Sequence, residues 1–386
     1  MTKRIGVEQK KLIELLQEEI QDYRKGNGVR HELSDVIIIG LLCILCNGNT
    51  FVDMQTFGET HEDLLRQFLP LPQGIPSHDT FGHVFARLDP GQLVKCFGVW
   101  IEDIKQEMES HHIAVDGKTI RGSGRTGNKA KHIITAFASE LQLVLGQLCV
   151  DGKNNEITEI PRLLDMFCVK GSTITIDAMG TQKEIAGKII EKGGEYVLAL
   201  KDNHANLHDD IRFYAQQEIF PQDTKGMKEK GAYHSTLEKD HGRIETRKCW
   251  LLGDLNWLDR KHDWAGLSGA AAIYSKRVLQ STGEISESVR YFLYSEPGMT
   301  AERLLALQRS HWRIENNLHW MLDMVFREDS CQVRIENAAE ILNILRKLCL
   351  QLVKQESSVK ASMQSKRLRC SYDIHYALKV LGVSLA

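Results

Sequence analysis

Three carboxylates in this 386-residue sequence occupy positions from which they can act together on a phosphate or a divalent cation. Asp116 directly follows an apolar, partly β-branched run, and Asp177 follows a second run of the same kind, so each is predicted at the end of a buried strand. Glu315 lies beside the apolar seam of a predicted amphipathic helix, which can aim it at the edge of a sheet. A single aspartate after a strand is usually a turn residue, and the second strand with the same ending is what favours a shared site.

Such a trio can hold two divalent metal ions about 3.5–4 Å apart, which clamp the attacking and leaving oxygens of an in-line phosphoryl transfer. Hard oxygen ligands without a dedicated Cys/His set favour Mg²⁺ or Mn²⁺. Carboxylates held this close repel one another, and a bound cation relieves that repulsion.

Two histidines offer an alternative metal site. His311 and His319 lie four residues to either side of Glu315 on the same predicted helix face, a spacing that could build a zinc site. Histidines at such positions are more often hydrogen-bonded residues of a core or its edge, and that is the favoured interpretation. Trp312 and Trp320, on the same helix, are predicted to belong to the core rather than to stack on bases.

The elements around the two aspartates follow a recognisable order. After Asp116 come strand-like runs at 132–138 and 141–150, which predict a three-stranded antiparallel meander. A helix over 159–167, the Asp177 strand, a helix over 182–192 and a strand over 195–200 follow. This is the order of a ribonuclease H-like fold, in which the first and fourth strands are neighbours. The ends that carry Asp116 and Asp177 should therefore lie side by side.

The predicted fold class is α/β, with four segments. Residues 1–108 form an N-terminal all-α domain, in which a helix pair around 70–77 is a candidate DNA-reading module. Residues 109–202 form the first part of a ribonuclease H-like catalytic core, a mixed sheet with flanking helices. Residues 203–299 form a β-rich insertion, because a structureless loop of this length is improbable. Residues 300–386 supply the last core helix, over 303–326 with Thr300 as its cap, and C-terminal helices that begin with 336–355.

Composition narrows the function classes. The formal net charge is -2, so contact with nucleic acid must come from local basic patches. Nine scattered cysteines, most among apolar neighbours, indicate reduced core thiols. The longest apolar run, 36–46, is shorter than the ~20 residues that cross a bilayer. With no cleavable signal pattern, we expect a cytoplasmic protein that does not contact membranes.

Several motifs together resemble the DDE-type insertion-sequence transposases, in particular the H-repeat-associated branch that is often linked to Rhs elements. The three segments around the carboxylates and three further segments carry the resemblance: Val115-Asp116-Gly117-Lys118-Thr119 with Arg121-Gly122-Ser123; Ile176-Asp177-Ala178-Met179-Gly180-Thr181-Gln182; His311-Trp312-Arg313-Ile314-Glu315-Asn316 with Leu318-His319-Trp320 and Leu322-Asp323; Tyr196-Val197-Leu198-Ala199-Leu200-Lys201-Asp202-Asn203; His241-Gly242-Arg243-Ile244-Glu245-Thr246-Arg247; and Ile75-Pro76-Ser77-His78-Asp79-Thr80-Phe81.

The resemblance implies that Asp116, Asp177 and Glu315 are the catalytic and metal-binding triad, with two Mg²⁺ or Mn²⁺ ions as cofactors. It implies hydrolysis of a phosphodiester at element ends, transfer of the freed 3′-hydroxyl to target DNA, and a homodimer when bound to double-stranded DNA. One departure stands out: the broader transposase pattern has Tyr, Arg and Lys flanking the glutamate, and Gln308, His311 and Leu322 occupy those positions here.

Basic residues near the triad are the candidate DNA contacts. The loop after Asp116 contributes Lys118, Arg121 and Arg125, and the matching motifs contribute Lys201, His311 and Arg313. In the insertion, Arg243 and Arg247 share one face of a predicted strand with Glu245, which can orient them toward phosphates through ion pairs. A solvated edge strand is the equally weighted alternative for that segment.

Two other functions remain open from the sequence. One is a DNA-binding remnant of a mobile element that no longer moves, and the other is a metal nuclease without strand transfer. The intact carboxylate trio favours the transposase, since a remnant is free to lose it.

Overall fold

One nine-stranded sheet runs through the computed structural model, which describes residues 9–26, 29–105, 111–124, 129–150, 156–240, 242–259 and 261–383. The spatial order of the strands is β3-β2-β1-β4-β5-β9-β8-β7-β6. Their bounds are β1 (His112–Thr119), β2 (His132–Ala138), β3 (Leu143–Val150), β4 (Thr173–Ile176), β5 (Glu195–Leu200), β6 (Tyr233–Asp240), β7 (Arg243–Leu252), β8 (Gly269–Leu279) and β9 (Ile285–Tyr294).

The first five strands form the ribonuclease H-like half of this sheet. β1, β2 and β3 are an antiparallel meander, and β4 and β5 continue it in parallel with β1. β2 and β4 are buried along their whole length because helices cover both faces, which explains their continuous apolar sequence. The predicted fold class and the predicted adjacency of the first and fourth strands are confirmed.

Residues 203–299 do not fold as a separate body. Their four strands pair in antiparallel fashion, and β9 pairs with β5 through Val197–Tyr294 to Leu200–Tyr291. The insertion therefore lengthens the sheet that carries Asp116 and Asp177. Two helices, α9 (Ala205–Tyr214) and α10 (Thr224–Glu229), precede its strands.

Helices from the two ends of the chain share one core. The N-terminal set is α1 (Gln9–Glu18), α2 (Leu33–Leu45), α3 (Phe51–Thr60), α4 (Glu62–Leu65), α5 (His78–Arg87) and α6 (Pro90–Lys105), and the C-terminal set is α13 (Ala338–Gln355), α14 (Met363–Tyr372) and α15 (Ile374–Leu381). α2 is apolar on every side because α3, α13 and α15 pack around it. The Ser77 hydroxyl accepts the Thr80 amide at 3.3 Å and so caps α5, as its sequence predicts.

The remaining helices flank the sheet and carry the third carboxylate. α7 (Glu156–Leu164) and α8 (Lys183–Glu191) precede β4 and β5, and α11 (Ala301–His311) and α12 (Trp320–Met324) follow β9. Thr300 caps α11, as predicted, and the backbone stays helical through α12, as the predicted helix over 303–326 requires. What the sequence did not predict is the π-helical turn within it, Glu315–His319. The Lys354 Nζ donates to the carbonyl of Asn317 at 2.9 Å, which satisfies a backbone group of that turn.

Among the described residues, no helix has the length and apolar character needed to cross a membrane.

Candidate active site

Two of the three carboxylates lie side by side where parallel strands end. The register of β1 and β4 pairs Val115 with Ile176, and Asp116 and Asp177 are the next residues along the two strands. The Asp116 Oδ1 accepts the amide of Gly117 at 2.9 Å. Asp177 is exposed, and its Oδ1 accepts the amide of Met179 at 3.1 Å.

Glu315 reaches this sheet edge from the π-helical turn. Its carboxylate, the Asp116 carboxylate and the imidazole of His319 each offer a ligand atom, and these atoms lie within 4.8 Å of one another. His319 Nδ1 lies 3.5 Å from Asp116 Oδ2 and 3.4 Å from Glu315 Oε2. The position of the π-helical turn beside β1 thus brings together Asp116 and Glu315, which lie far apart in the sequence.

The pKa values of Asp116 and Glu315 reflect the crowding of negative charge at this site. Burial, together with repulsion from Glu315 and Asp177, raises the pKa of Asp116 to about 8. A hydrogen bond with His319 holds the pKa of Glu315 below its usual value. The pair therefore keeps one proton, on Asp116, at neutral pH. Oxygen donors whose mutual repulsion is relieved by a cation are a donor set that fits a divalent metal ion.

The backbone beside Asp116 has no room for a side chain. A Cβ at Gly117 would lie 2.5 Å from Glu156 Oε1 and 2.5 Å from His132 Nε2. These two side chains are buried and bonded to each other, and His132 Nδ1 lies 2.9 Å from Thr119 Oγ1. The glycine that follows Asp116 is required by this buried pair behind β1.

A second pair of histidines is joined through a threonine. His112 Nε2 and His311 Nδ1 each lie 2.8 Å from Thr175 Oγ1. Burial lowers the pKa of His112 to about 3 and that of His311 to about 4, so both rings are neutral at physiological pH. His311 therefore does not supply the positive charge of the arginine that the broader transposase pattern has at this position.

Lys118 has a different environment from the one predicted. Its side chain is only 12% exposed, and Nζ lies 2.7 Å from Asp323 Oδ1 and 2.8 Å from Glu328 Oε2. Although burial opposes the charged form, Glu328 and Asp323 raise the pKa of Lys118. Lys118, which was predicted to contact phosphate, thus belongs to a buried ion-pair cluster that connects β1 to α12 and to the turn after α12. The acids lie about two hundred residues away in sequence, so no local pattern could identify them.

Unlike Lys118, three other predicted DNA contacts have exposed side chains. Arg121 is 82% exposed, with Nε 3.6 Å from Asp329 Oδ2. Lys201 is exposed, as is Arg313, whose Nη1 lies 3.5 Å from the carbonyl of Ser139. Arg125 lies outside the described residues.

Arg243 and Arg247 line a groove of about 670 Å³ between the insertion strands and α11. The buried Glu245 carboxylate contacts both, with 3.1 Å from Oε1 to Arg243 Nε, and also lies 2.9 Å from Arg277 Nε. Although burial opposes ionisation, the surrounding guanidinium groups hold the pKa of Glu245 below its usual value. Glu245 thus fixes three arginines on one wall of the groove.

Sequence reasoning missed several residues of the same groove. Arg277, Arg290 and Arg309 line it, and Trp312 closes it next to the π-helical turn. The predicted core position of Trp312 and Trp320 is wrong, because their exposed fractions are 45% and 53%. The Arg290 guanidinium lies 5.5 Å from the Trp312 ring centre. The sequence could have identified Arg290. It precedes the core residue Tyr291 on a predicted strand, and neighbouring residues of a strand face opposite sides of the sheet.

The chain matches two known sequence families. Residues 107–352 match the Transposase DDE domain, and residues 15–101 match the DDE_Tnp_1-associated family. The H repeat-associated putative transposase YhhI of Escherichia coli is 36% identical over 98% of this chain and 99% of its own length. An uncharacterized protein in the dhlA 3′ region of Xanthobacter autotrophicus is 42% identical over 69% of this chain and 88% of its own length. A solved piggyBac transposase synaptic complex with hairpin DNA has 12% identity and a TM-score of 0.45, covering 97% of this chain and 80% of that one.

The proton held by Asp116 predicts pH-dependent cation binding. Below a pH of about 8 a cation must displace this proton, so the affinity for Mn²⁺ should rise as the pH increases from 6 to 8 and level off above. Calorimetric titration in buffers of different ionisation enthalpy should count about one proton released per ion at pH 7. Asp116→Asn removes the titrating group, and proton release by that variant equal to wild type would contradict the assignment.

The Lys118 cluster predicts a large loss of stability on its removal. Lys118→Met removes the ammonium group that lies 2.8 Å from the fully buried Glu328 and leaves Arg346 as a weaker partner, so we expect the free energy of unfolding to fall by about 2–4 kcal/mol. Arg121→Met, three residues along and exposed, should change it by less than about 0.5 kcal/mol. Urea unfolding at pH 7 measures both variants, and equal, small losses would show that Lys118 has no structural role.

Proposed function

Because the chain belongs to the Transposase DDE domain family, which matches residues 107–352, we propose that it hydrolyses a phosphodiester at the ends of a mobile element and joins the freed 3′-hydroxyl to target DNA. The observation that supports the proposal is that ligand atoms of Asp116 and Glu315 lie within 4.8 Å of each other, with Asp177 at the end of the neighbouring parallel strand. The family implies binding to double-stranded DNA. End joining requires two ends at one place, so a homodimer on DNA is part of the proposal.

In this proposal Asp116, Asp177 and Glu315 hold two divalent cations, Mg²⁺ or Mn²⁺. Bound there, the cations would activate the attacking oxygen and stabilise the leaving oxygen of an in-line displacement. Neighbouring residues hold the carboxylates in place. The Gly117 amide orients the Asp116 carboxylate, and the Lys118 cluster holds β1 against α12. The neutral His311 offers a hydrogen bond rather than a charge to the scissile region.

The groove of Arg243, Arg247 and Arg277 is the proposed path of the DNA backbone. It carries further cationic side chains at Lys276, Arg290 and Arg309, and it ends beside Asn316, the residue after Glu315. Guanidinium groups whose orientation is fixed by a buried glutamate are prepared for bidentate contact with phosphate. Trp312, exposed at the catalytic end, adds a stacking surface for an unpaired base. Arg121, Lys201 and Arg313 are further proposed contacts, as is Arg125.

The N-terminal helices remain the proposed reading module for element ends. α5 directs Phe81, Val84 and Phe85 into the core, while His83 and Arg87 are exposed on its other side. Because α5 packs against α13, removing residues 1–108 would also uncover the C-terminal core. Substitution of His83 and Arg87 in the full chain is therefore the suitable test of end recognition.

The first prediction of this proposal concerns Glu315. Glu315→Gln keeps the side-chain shape but removes a charge that the cations need, so cleavage should fall by at least about 100-fold while DNA affinity stays within about two-fold. The probe is a labelled duplex carrying the DNA that flanks the gene, with nicked, hairpin and joined products resolved on gels in Mg²⁺ and in Mn²⁺.

Glu302→Gln, an exposed glutamate on α11, is the matched control and should cleave like wild type. Cleavage without joined products would favour the metal nuclease, and DNA binding without any cleavage by wild type would favour the silent remnant. Wild-type rates from Glu315→Gln would refute the catalytic assignment.

A second prediction concerns the groove. Arg243→Gln combined with Arg277→Gln should weaken binding to duplexes of any sequence and reduce the slope of log affinity against log salt by about 2, because two phosphate contacts are lost. Arg162→Gln with Arg212→Gln is the matched control, since both arginines are exposed and pair with an acid three residues earlier outside the groove. A salt titration by fluorescence anisotropy that gives equal slopes for the two double variants would exclude the groove as the DNA path.

A further inference from the structure

His319 occupies a position between two carboxylates from different elements. Its ring is only 5% exposed, and Nδ1 lies at nearly equal distances from Asp116 on β1 and Glu315 on the π-helical turn. Its other ring nitrogen, Nε2, is buried and has no hydrogen-bond partner among the described residues. The polar contacts of this ring therefore point to the catalytic carboxylates.

Nδ1 lies within reach of both carboxylates but beyond the usual hydrogen-bond length. An N–H···O hydrogen bond has a usual length of about 2.9–3.0 Å, and the two contacts of Nδ1 measure 3.5 and 3.4 Å. Adjacent ligands of an octahedral ion at about 2.1 Å are separated by roughly 3.0 Å, so a shift of about half an ångström lets Nδ1 and the two carboxylate oxygens surround one ion. All three ligand atoms lie within 4.8 Å of one another.

The two histidines that flank Glu315 differ in this respect. His311 Nδ1 is engaged by the Thr175 hydroxyl at 2.8 Å, a normal hydrogen-bond length. His311 also does not belong to the group of ligand atoms within 4.8 Å, which among the described residues contains Asp116, Glu315 and His319. The four-residue spacing is the same on both sides of Glu315, but of the two histidines only His319 has a ring nitrogen within 4.8 Å of the Asp116 and Glu315 carboxylates.

We propose that His319 is the third protein ligand, through Nδ1, of the cation that Asp116 and Glu315 hold, and that this site prefers Mn²⁺ to Mg²⁺. The inference deepens the proposed function and rests on it. Mg²⁺ binds oxygen ligands almost exclusively in proteins, whereas Mn²⁺, as the first member of the transition-metal series, accepts an imidazole nitrogen beside carboxylate oxygens. An imidazole added to the two carboxylates therefore shifts the selectivity of the site toward Mn²⁺.

The decisive measurement is pulsed electron paramagnetic resonance of Mn²⁺ bound to the full-length protein. Wild type should show electron spin echo modulation from a directly bound ¹⁴N nucleus, and ¹⁵N-histidine labelling should change its frequency. This measurement needs no substitution, so it does not depend on the folding of a variant. Absence of histidine nitrogen coupling in wild type, with Mn²⁺ bound, would overturn the inference.

Variants then assign the nitrogen. His319→Gln should lose the ¹⁴N modulation and weaken Mn²⁺ binding by roughly ten- to a hundred-fold, while Mg²⁺ affinity, measured by competition, changes by less than about three-fold. His311→Gln, the matched control at the same spacing, should keep the modulation. Loss of the modulation in His311→Gln but not in His319→Gln would also overturn the inference.

Failure of the proposed function has a different signature. Glu315→Gln should abolish the binding of Mn²⁺ and also that of Mg²⁺. Unchanged affinities for the two metals in that variant would refute the whole site. If Glu315→Gln loses both cations and His319→Gln loses neither, the carboxylate site stands and the histidine ligand is excluded.

Discussion

Repulsion between carboxylates brought to one point is the constraint on which the rest of this structure depends. Asp116 and Glu315 approach closely enough that the pKa of Asp116, raised by burial and by its neighbour, reaches about 8. A fold tolerates such a contact only where the surrounding elements determine both positions independently. The sheet fixes Asp116 and Asp177 through the parallel pairing of β1 with β4, and helical packing fixes Glu315.

Buried polar contacts hold those elements in register. Lys118 extends from β1 to Asp323 and Glu328, and Asn343 on α13 donates to Glu328 at 2.7 Å. Lys354, also on α13, donates to the carbonyl of Asn317 in the π-helical turn. α13 thus supports the site at two points. It contacts the Lys118 ion-pair cluster next to Asp116, and it contacts the π-helical turn that carries Glu315. Polar contacts of this kind specify one arrangement, since each leaves an unsatisfied group if the elements shift.

The insertion serves the site because it extends the sheet that carries Asp116 and Asp177. Antiparallel pairing of β9 with β5 makes the outer strands rigid with respect to the strands that carry these two residues. The arginines of β7 and β8, held by Glu245, therefore have a fixed distance from the carboxylates. A cationic groove attached to the core by a flexible linker would have no such fixed distance.

The sequence by itself determined the element types, the ribonuclease H-like order and the three acids, because apolar periodicity and strand-end position are local properties. Strand alternation also placed Arg243, Glu245 and Arg247 on one face. The partners of buried side chains were decided only by the tertiary structure. Lys118 was predicted to contact phosphate, and its ammonium group forms ion pairs with acids some two hundred residues away. Trp312 was predicted in the core but lies exposed on the side of the helix that lines the groove. His311 and His319 have the same spacing from Glu315, and only their tertiary contacts distinguish them, because His311 meets Thr175 on β4 and His319 meets Asp116 on β1. A pattern along the chain fixes which face a residue occupies, whereas what that face meets depends on contacts between segments that no local pattern encodes.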